Sequence, residues 1–318
     1  MGDHSKIEWT DATWNPIRGC SAVSPGCANC YAATVAARFN GPGMPYEGLA
    51  TRDPRPRWTG EVRLVPEHLA DPLRWQRPRR VFVNSMSDLF HESLPFEIIA
   101  AIFGVMAAAE RHVFQVLTKR PARMLEWFEW YEGSSGFGGG SAFAAVFAAR
   151  EHGVDVGWPC YDSVRRATFE PAWPLPNVWL GVSAEDQQRA NERIPLLLKC
   201  PAAVRWVSAE PLLGSLWIVP RLYRHADERL CGLGGCEKCR RLDWVVVGGE
   251  SGPGARLCDV AWIGSVVEQC AAAGVPVVQH PMDPEALLAG GLADRKGGDP
   301  EEWPDSLRVR QMPEAPHV

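Results

Sequence analysis

A chain of 318 residues, 46% of them hydrophobic, can bury a sizeable core in one large α/β domain or two smaller ones. A net charge of −5 makes the whole molecule a poor electrostatic match for nucleic acid, so such a partner would need a local basic face. No run reaches the ~18 consecutive apolar residues of a transmembrane helix. The start, MGDHSKIEWTD, lacks the apolar core of a signal peptide.

These features point to a cytoplasmic protein without a membrane partner. In that reducing compartment, ten cysteines read as metal ligands or buried residues rather than disulfides. Fourteen tryptophans are many for this length; most belong to a core, though they also build walls around planar ligands.

In chain order, two weak strand candidates come first, TWNPIRG (13–19) and EVRLV (61–65). RVFVNS (80–85) is a stronger strand, followed by a helix over 95–110 with Pro95 in its first turn. HVFQVLTK (112–119) precedes a helix over 121–131. Residues 132–175 begin with the flexible run EGSSGFGGGS and read as an insertion. NVWLGVS (177–183) leads to a helix from about 185 to 199, and VRWVSAE (204–210) follows. After a second interruption at 215–241 come LDWVVVGGE (242–250), a helix around 259–273 and VPVVQH (275–280). The tail, 283–318, is rich in Pro, Gly, Asp and Glu and is expected to be loosely packed.

Near-continuous apolar strands alternating with helices predict a parallel sheet covered by helices. About eight such units predict a (β/α)8 barrel or a more open, partial TIM-like barrel over residues 1–282. A doubly wound sheet is the main competitor.

In parallel α/β folds the carboxyl ends of the strands form one rim, and sites gather there. Here those ends carry Cys20, Asn84 with Ser85, Thr118 with Lys119, Ser183, Ser208 with Glu210, Gly249 with Glu250, and Gln279 with His280. Charged Lys119, Glu210 and Glu250 are costly to tuck into a rim without a purpose. GGESGPGAR (248–256) suits a small-molecule cradle, although it matches neither the P-loop nor the Rossmann spacing. The candidate ligand-binding residues are Asn84, Ser85, Ser87, Thr118, Ser183, Ser208, Glu210, Gly248, Gly249 and Glu250, with Asp88 and His91 beside them. Glu210, Lys119 and Tyr31 are the candidate catalytic residues.

GCSAVSPGCANCYAA (19–33) places Cys20, Cys27 and Cys30 in one loop, spaced C-x6-C-x2-C. Three thiolates can hold three irons of a [4Fe–4S] cluster and leave the fourth open. A zinc site would need a fourth ligand or a water. A second group, Cys231, Cys236 and Cys239 with His225, resembles a zinc knuckle. Structural zinc is preferred there over an auxiliary cluster or free thiols.

The loop, set after the first strand of an α/β barrel, resembles the radical S-adenosylmethionine superfamily. TWNPIRGC, SPGCANCYA, FVNSMSDLFHE, FQVLTKRP, NVWLGVS, AVRWVSAEPLLG and DWVVVGGESGPGAR together resemble a phage- and prophage-associated family of that kind, over roughly 7–131 and 176–280. The six-residue first gap departs from the superfamily's common C-x3-C-x2-C spacing, and the last strand ends Val278-Gln279-His280-Pro281, where the phage-associated family usually has Lys-Gln-Trp-Gly. The resemblance implies a cluster on Cys20, Cys27 and Cys30, S-adenosylmethionine on its open iron, and reductive cleavage to a 5′-deoxyadenosyl radical. It also implies an electron donor such as flavodoxin or ferredoxin.

Arg52, Arg55, Arg57, Arg63, Arg74, Arg77, Arg79 and Arg80, with Trp58 and Trp75 among them, suit phosphate contact and base stacking. A solvated basic face explains them equally well. A faint likeness to spore photoproduct lyase also points to a nucleobase, nucleotide or nucleic acid as substrate. The alternative from another class is a zinc-bearing nucleic-acid-binding module without catalysis. A zinc hydrolase ranks last, because no Glu stands in the H-x-E position of deaminases.

Overall fold

The structure is a computed structural model, and it describes residues 5, 7–134, 152, 173–222, 240–250, 254–280, 301 and 303–313. Its centre is a curled, seven-stranded, wholly parallel sheet. The strands, in spatial order, are β1 (Ala12–Trp14), β6 (Arg80–Val83), β7 (Val113–Thr118), β8 (Val178–Ser183), β9 (Val204–Ala209), β10 (Trp244–Val247) and β11 (Val277–Gln279). Among the described residues no ladder closes β11 onto β1, so the sheet is a half-barrel.

α3 (Phe96–Ala108) carries the crossover from β6 to β7, α5 (Gln187–Lys199) that from β8 to β9 and α7 (Val260–Ala273) that from β10 to β11, while α4 (Pro121–Ser134) follows β7. α5 begins where the Asp186 side chain accepts the Arg189 N–H at 2.8 Å, and α7 where Asp259 accepts that of Ala261 at 2.8 Å. Among the described residues no helix is long and apolar enough to cross a membrane.

The expected strand at 61–65 does not join this sheet. Its core, β5 (Arg63–Leu64), pairs antiparallel with β2 (Ile17–Arg18), and β3 (Ala50–Thr51) pairs with β4 (Arg57–Trp58). With only two residues each, these ladders cannot carry a long alternating pattern. They form a small layer with α1 (Tyr31–Arg38), inserted between β1 and the short α2 (Asp71–Arg74).

Residues 303–313, expected within a loose tail, are packed instead. Trp303 and Leu307 are buried, Gln279 N–H bonds Val309 O at 2.9 Å, and the Gln311 N–H bonds Val277 O at 2.9 Å. Two apolar anchors and the exposed backbone of an edge strand suffice to dock a segment whose composition suggests coil. The segment 215–241 likewise opens with structure, since Leu216 and Ile218 are buried ahead of α6 (Val219–Leu222).

Strand alternation sorts the side chains into two cores. Val81, Val83, Phe114, Val116, Val178, Leu180, Val207, Val245 and Val247 meet the helices on the outer face. Phe82, Trp179, Val204, Trp206, Trp244, Val246 and Val278 point into the curl and, with Trp9, plug its base. The indoles of Trp9 and Trp206 meet edge-on at 5.3 Å, and those of Trp206 and Trp244 lie 5.2 Å apart.

Trp206 lies flat across β8 because residue 181 is glycine: a Cβ there would stand 2.4 Å from the indole. Gly181→Ala is therefore expected to cost about 1–3 kcal/mol by overpacking. A lower urea midpoint with an unchanged slope would show it; an unchanged midpoint would mean the indole has room to move.

Candidate functional site

The same alternation continues past the carboxyl ends and predicts which polar residues enter the mouth. Beyond Phe82 the inward positions reach Asn84; beyond Leu117, Lys119; beyond Trp179, Ser183; beyond Trp206, Ser208 and Glu210; beyond Val246, Gly248; and beyond Val278, His280. The mouth is thus polar above an apolar, tryptophan-lined base.

The cysteine loop lies over this mouth. It follows β1 and β2, passes through a short 3-10 turn at Pro25–Cys27, and ends with Cys30 as the residue capping α1. Cys20, Cys27 and Cys30 are free and half-buried. Burial pushes the Cys20 thiol up to about 12; the charges of Asp88 and Cys30 add to this, and Arg120 opposes it.

Three carboxylate–arginine pairs, each with a buried carboxylate and each at a different strand end, clasp the loop. Asp88 pairs with Arg120 at 3.0 Å, and Arg120 donates to the Ser21 carbonyl (3.1 Å) and hydroxyl (2.7 Å). Glu185 pairs with Arg193 at 2.9 Å and accepts the Gly26 N–H at 3.1 Å. Glu250 pairs with Arg256 at 2.6 Å and accepts from the Asn29 amide at 2.8 Å, while Arg256 donates to Pro25 O at 3.0 Å. One clasp therefore stands beside each cysteine. His91 adds a fourth contact, its Nε2 lying 2.9 Å from the Ser21 hydroxyl.

The shifted acidities agree with committed ion pairs. Burial alone would raise Glu185, but the Ser24 hydroxyl, Arg193 and the backbone N–H groups of Glu185 and Gly26 outweigh it and hold the carboxyl below its usual range. Glu250 is lowered in the same way, with Arg256 and Asn29 overcoming its burial.

Of the residues singled out from the sequence, Thr118 donates to Asp88 at 2.7 Å, Ser87 to the Ile17 carbonyl at 3.0 Å, and Ser85 exchanges bonds with Asn15. The Tyr31 hydroxyl bonds Ser85 O at 2.7 Å while 52% of the residue stays exposed, so its ring sits on the rim. Ser208 donates to Glu210 at 3.1 Å. His280 Nδ1 lies 2.9 Å from Glu210; burial opposes its charged form, yet the Glu210 carboxylate raises its pKa. Gly248 makes room for that pair, since a Cβ there would stand 2.7 Å from Glu210 Oε1. Gly249 is buried beside Glu250, whose oxygens serve Arg256 and Asn29.

Two groups in the mouth keep capacity for a ligand. Lys119 Nζ donates to the Ser183 hydroxyl at 3.1 Å and meets no carboxylate among the described residues. Asn84 is 3% exposed, at φ 59°, and neither amide atom has a partner among the described residues. A buried amide left unsatisfied costs about 1–3 kcal/mol. A ligand presenting one acceptor and one donor would relieve it.

The arginine run divides. Arg74 pairs with Asp71, Arg79 lies over the Trp75 ring, and Arg80 pairs with Asp11, all at the amino ends of the strands. On the loop side, Arg52 donates to the Ala37 and Arg38 carbonyls and Arg63 to the Glu47 carbonyl. Arg55 and Arg57 are exposed there, without a partner among the described residues.

Among the described residues no three His, Cys, Asp or Glu side chains converge to hold a single metal ion. The second group, Cys231, Cys236, Cys239 and His225, lies outside the described residues. A groove of about 350 Å³ between α5 and α6, lined by Ile194 and Trp217 among others, shares no residue with the mouth.

Residues 4–280 match the family described as Protein of unknown function (DUF5131), and the chain belongs to that family. No curated protein and no solved structure matches it.

Proposed function

We propose that this DUF5131 member is a cytoplasmic radical S-adenosylmethionine enzyme that modifies or repairs a nucleobase, nucleotide or nucleic acid. The observation that carries the reading is the clasped loop. Three buried carboxylates and their arginines anchor its backbone and side chains, yet leave its three cysteines free of disulfides above the mouth of a partial barrel.

Cys20, Cys27 and Cys30 would hold the [4Fe–4S] cluster. An all-thiolate donor set suits iron–sulfur ligation, and a cluster spreads its thiolates over three irons rather than gathering them on one ion. When bound, the cluster supplies the electron that cleaves S-adenosylmethionine to a 5′-deoxyadenosyl radical.

The chain's own residues supply binding and exclusion of water. Lys119 offers a cation for an anionic group, and Asn84 an amide edge for a planar heterocycle. Glu210, paired with His280, offers a carboxylate to an amine or a ribose hydroxyl. The tryptophan base closes the mouth from below. Tyr31 on the rim, with Arg55 and Arg57 exposed in the layer that packs on α1, would suit contact with a phosphate-bearing substrate.

Anaerobic reconstitution with iron and sulfide tests the reading. A brown protein that releases 5′-deoxyadenosine from S-adenosylmethionine and dithionite is the expected result. A colourless, iron-free protein would overturn it.

Lys119→Met gives a narrower test. Dialysis of S-adenosylmethionine and of a nucleoside monophosphate against the iron-loaded protein should show at least one affinity falling about tenfold or more. That matches a charged hydrogen bond of about 1.5–3 kcal/mol. Two unchanged affinities would remove Lys119 from the site.

A further inference from the structure

Among the described residues, Arg120 is the one clasp group that also reaches a cysteine sulfur. Its guanidinium has five N–H bonds in a planar fork, and the structure gives it acceptors on every nitrogen. Nε donates to both Glu92 oxygens at 2.9 Å. One terminal nitrogen serves Asp88 at 3.0 Å and Cys20 Sγ at 3.8 Å; the other serves the Ser21 carbonyl and hydroxyl. The side chain is 4% exposed, so its charge is little screened. Among the described residues, the sulfurs of Cys27 and Cys30 receive no comparable N–H.

We propose that Arg120 is a positioning residue that sets the reduction potential of the metal group bound through Cys20, by donating an N–H to that sulfur and fixing the orientation of its loop. This rests on the function proposed above. Hydrogen bonds to ligand sulfurs and local charge are among the factors that set iron–sulfur potentials. A cation and an N–H at the sulfur favour the reduced, more negative state. The couple takes one electron from an external flavodoxin- or ferredoxin-class donor, and no bond is made or broken.

The asymmetry has a consequence for the carboxylates around Arg120. Asp88 is buried and also receives Thr118 Oγ and the Lys119 N–H, so changing it disturbs β7 and the loop together. Glu92 is different, because its side chain is 61% exposed and Arg120 is the main group it touches. Removing the Glu92 charge should leave the fold intact and strengthen the positive field at Cys20.

The experiment is a redox titration of the reconstituted protein at low ionic strength, followed by electron paramagnetic resonance. Arg120→Gln should move the midpoint to lower potential. Arg120→Lys should recover part of the shift, because it keeps the charge without the fork. Glu92→Gln should move the midpoint the other way. Iron-loaded Arg120→Gln with the wild-type midpoint overturns the inference. If that variant fails to load, the Glu92→Gln and Arg120→Lys midpoints decide, and two unchanged values overturn it. Wild-type protein that takes up no cluster overturns the parent reading instead, so the two failures are distinguishable.

Discussion

Glu185→Leu is expected to destabilise the fold by about 3–5 kcal/mol, the cost of stranding one partner of a buried ion pair. Glu185 is fully buried, and Arg193, also buried, gives one guanidinium nitrogen to it at 2.9 Å and to the Ser183 carbonyl at 2.9 Å. Without the carboxylate, that cation faces the apolar packing between β8 and α5. The measurement is the urea midpoint at neutral pH. A loss under about 1 kcal/mol, the range of exposed pairs, would mean that water reaches the pair.

The double substitution Glu185→Leu with Arg193→Met separates stability from loop anchoring. Replacing both charges by apolar groups of similar volume is often neutral or stabilising, so most of the midpoint should return. The bond from Gly26 N–H to Glu185 stays lost, and iron retention should remain impaired beside Cys27. Acid should act on the wild type in the same direction. Glu185 is held below its unfolded value, so its contribution is complete above the ordinary carboxylate range and lost as pH falls through the lower, folded value. The double variant should lose less stability over that acid window.

Much of this arrangement is legible in the sequence because two periods carry it. Apolar runs such as WVVV and VWLGV, alternating with helical segments, specify a covered parallel sheet, and the polar residues following them mark its rim. What is not legible is pairing across the chain. Glu250 reads as a ligand-facing carboxylate at a strand end, but its partners are Arg256, six residues on, and Asn29, 221 residues away. Arg120 and Glu185 sit two positions beyond the ends of β7 and β8, where they look like ordinary loop charges. Only the fold shows that each reaches the same loop.

The arginine run misleads for the opposite reason. Residues close in sequence are split between the two ends of the sheet, because the chain descends from the mouth to the start of β6 between Arg63 and Arg80. The docking of 303–313 is equally hidden, since it depends on a free strand edge that composition does not reveal.

Loss of a single loop cysteine should have the largest effect on function. Cys20→Ala, Cys27→Ala and Cys30→Ala are each expected to abolish the brown colour and the release of 5′-deoxyadenosine after reconstitution, while shifting the urea midpoint by less than about 1 kcal/mol. The second expectation follows from burial: the three residues are half-exposed, sit in a loop and fill no core cavity. The clasp bonds go to Ser21, Gly26, Asn29 and Pro25, so the loop keeps its anchors when a thiol is removed. A structural role for the thiols predicts the reverse pattern, with large midpoint shifts for all three variants. Iron loading that survives in every single variant would place the cluster elsewhere, and the clasped loop would then need another purpose. Cys258→Ala and Cys270→Ala serve as the contrast. Both residues are fully buried in the outer core, Cys270 within α7, so these variants should lose stability while the protein still loads iron.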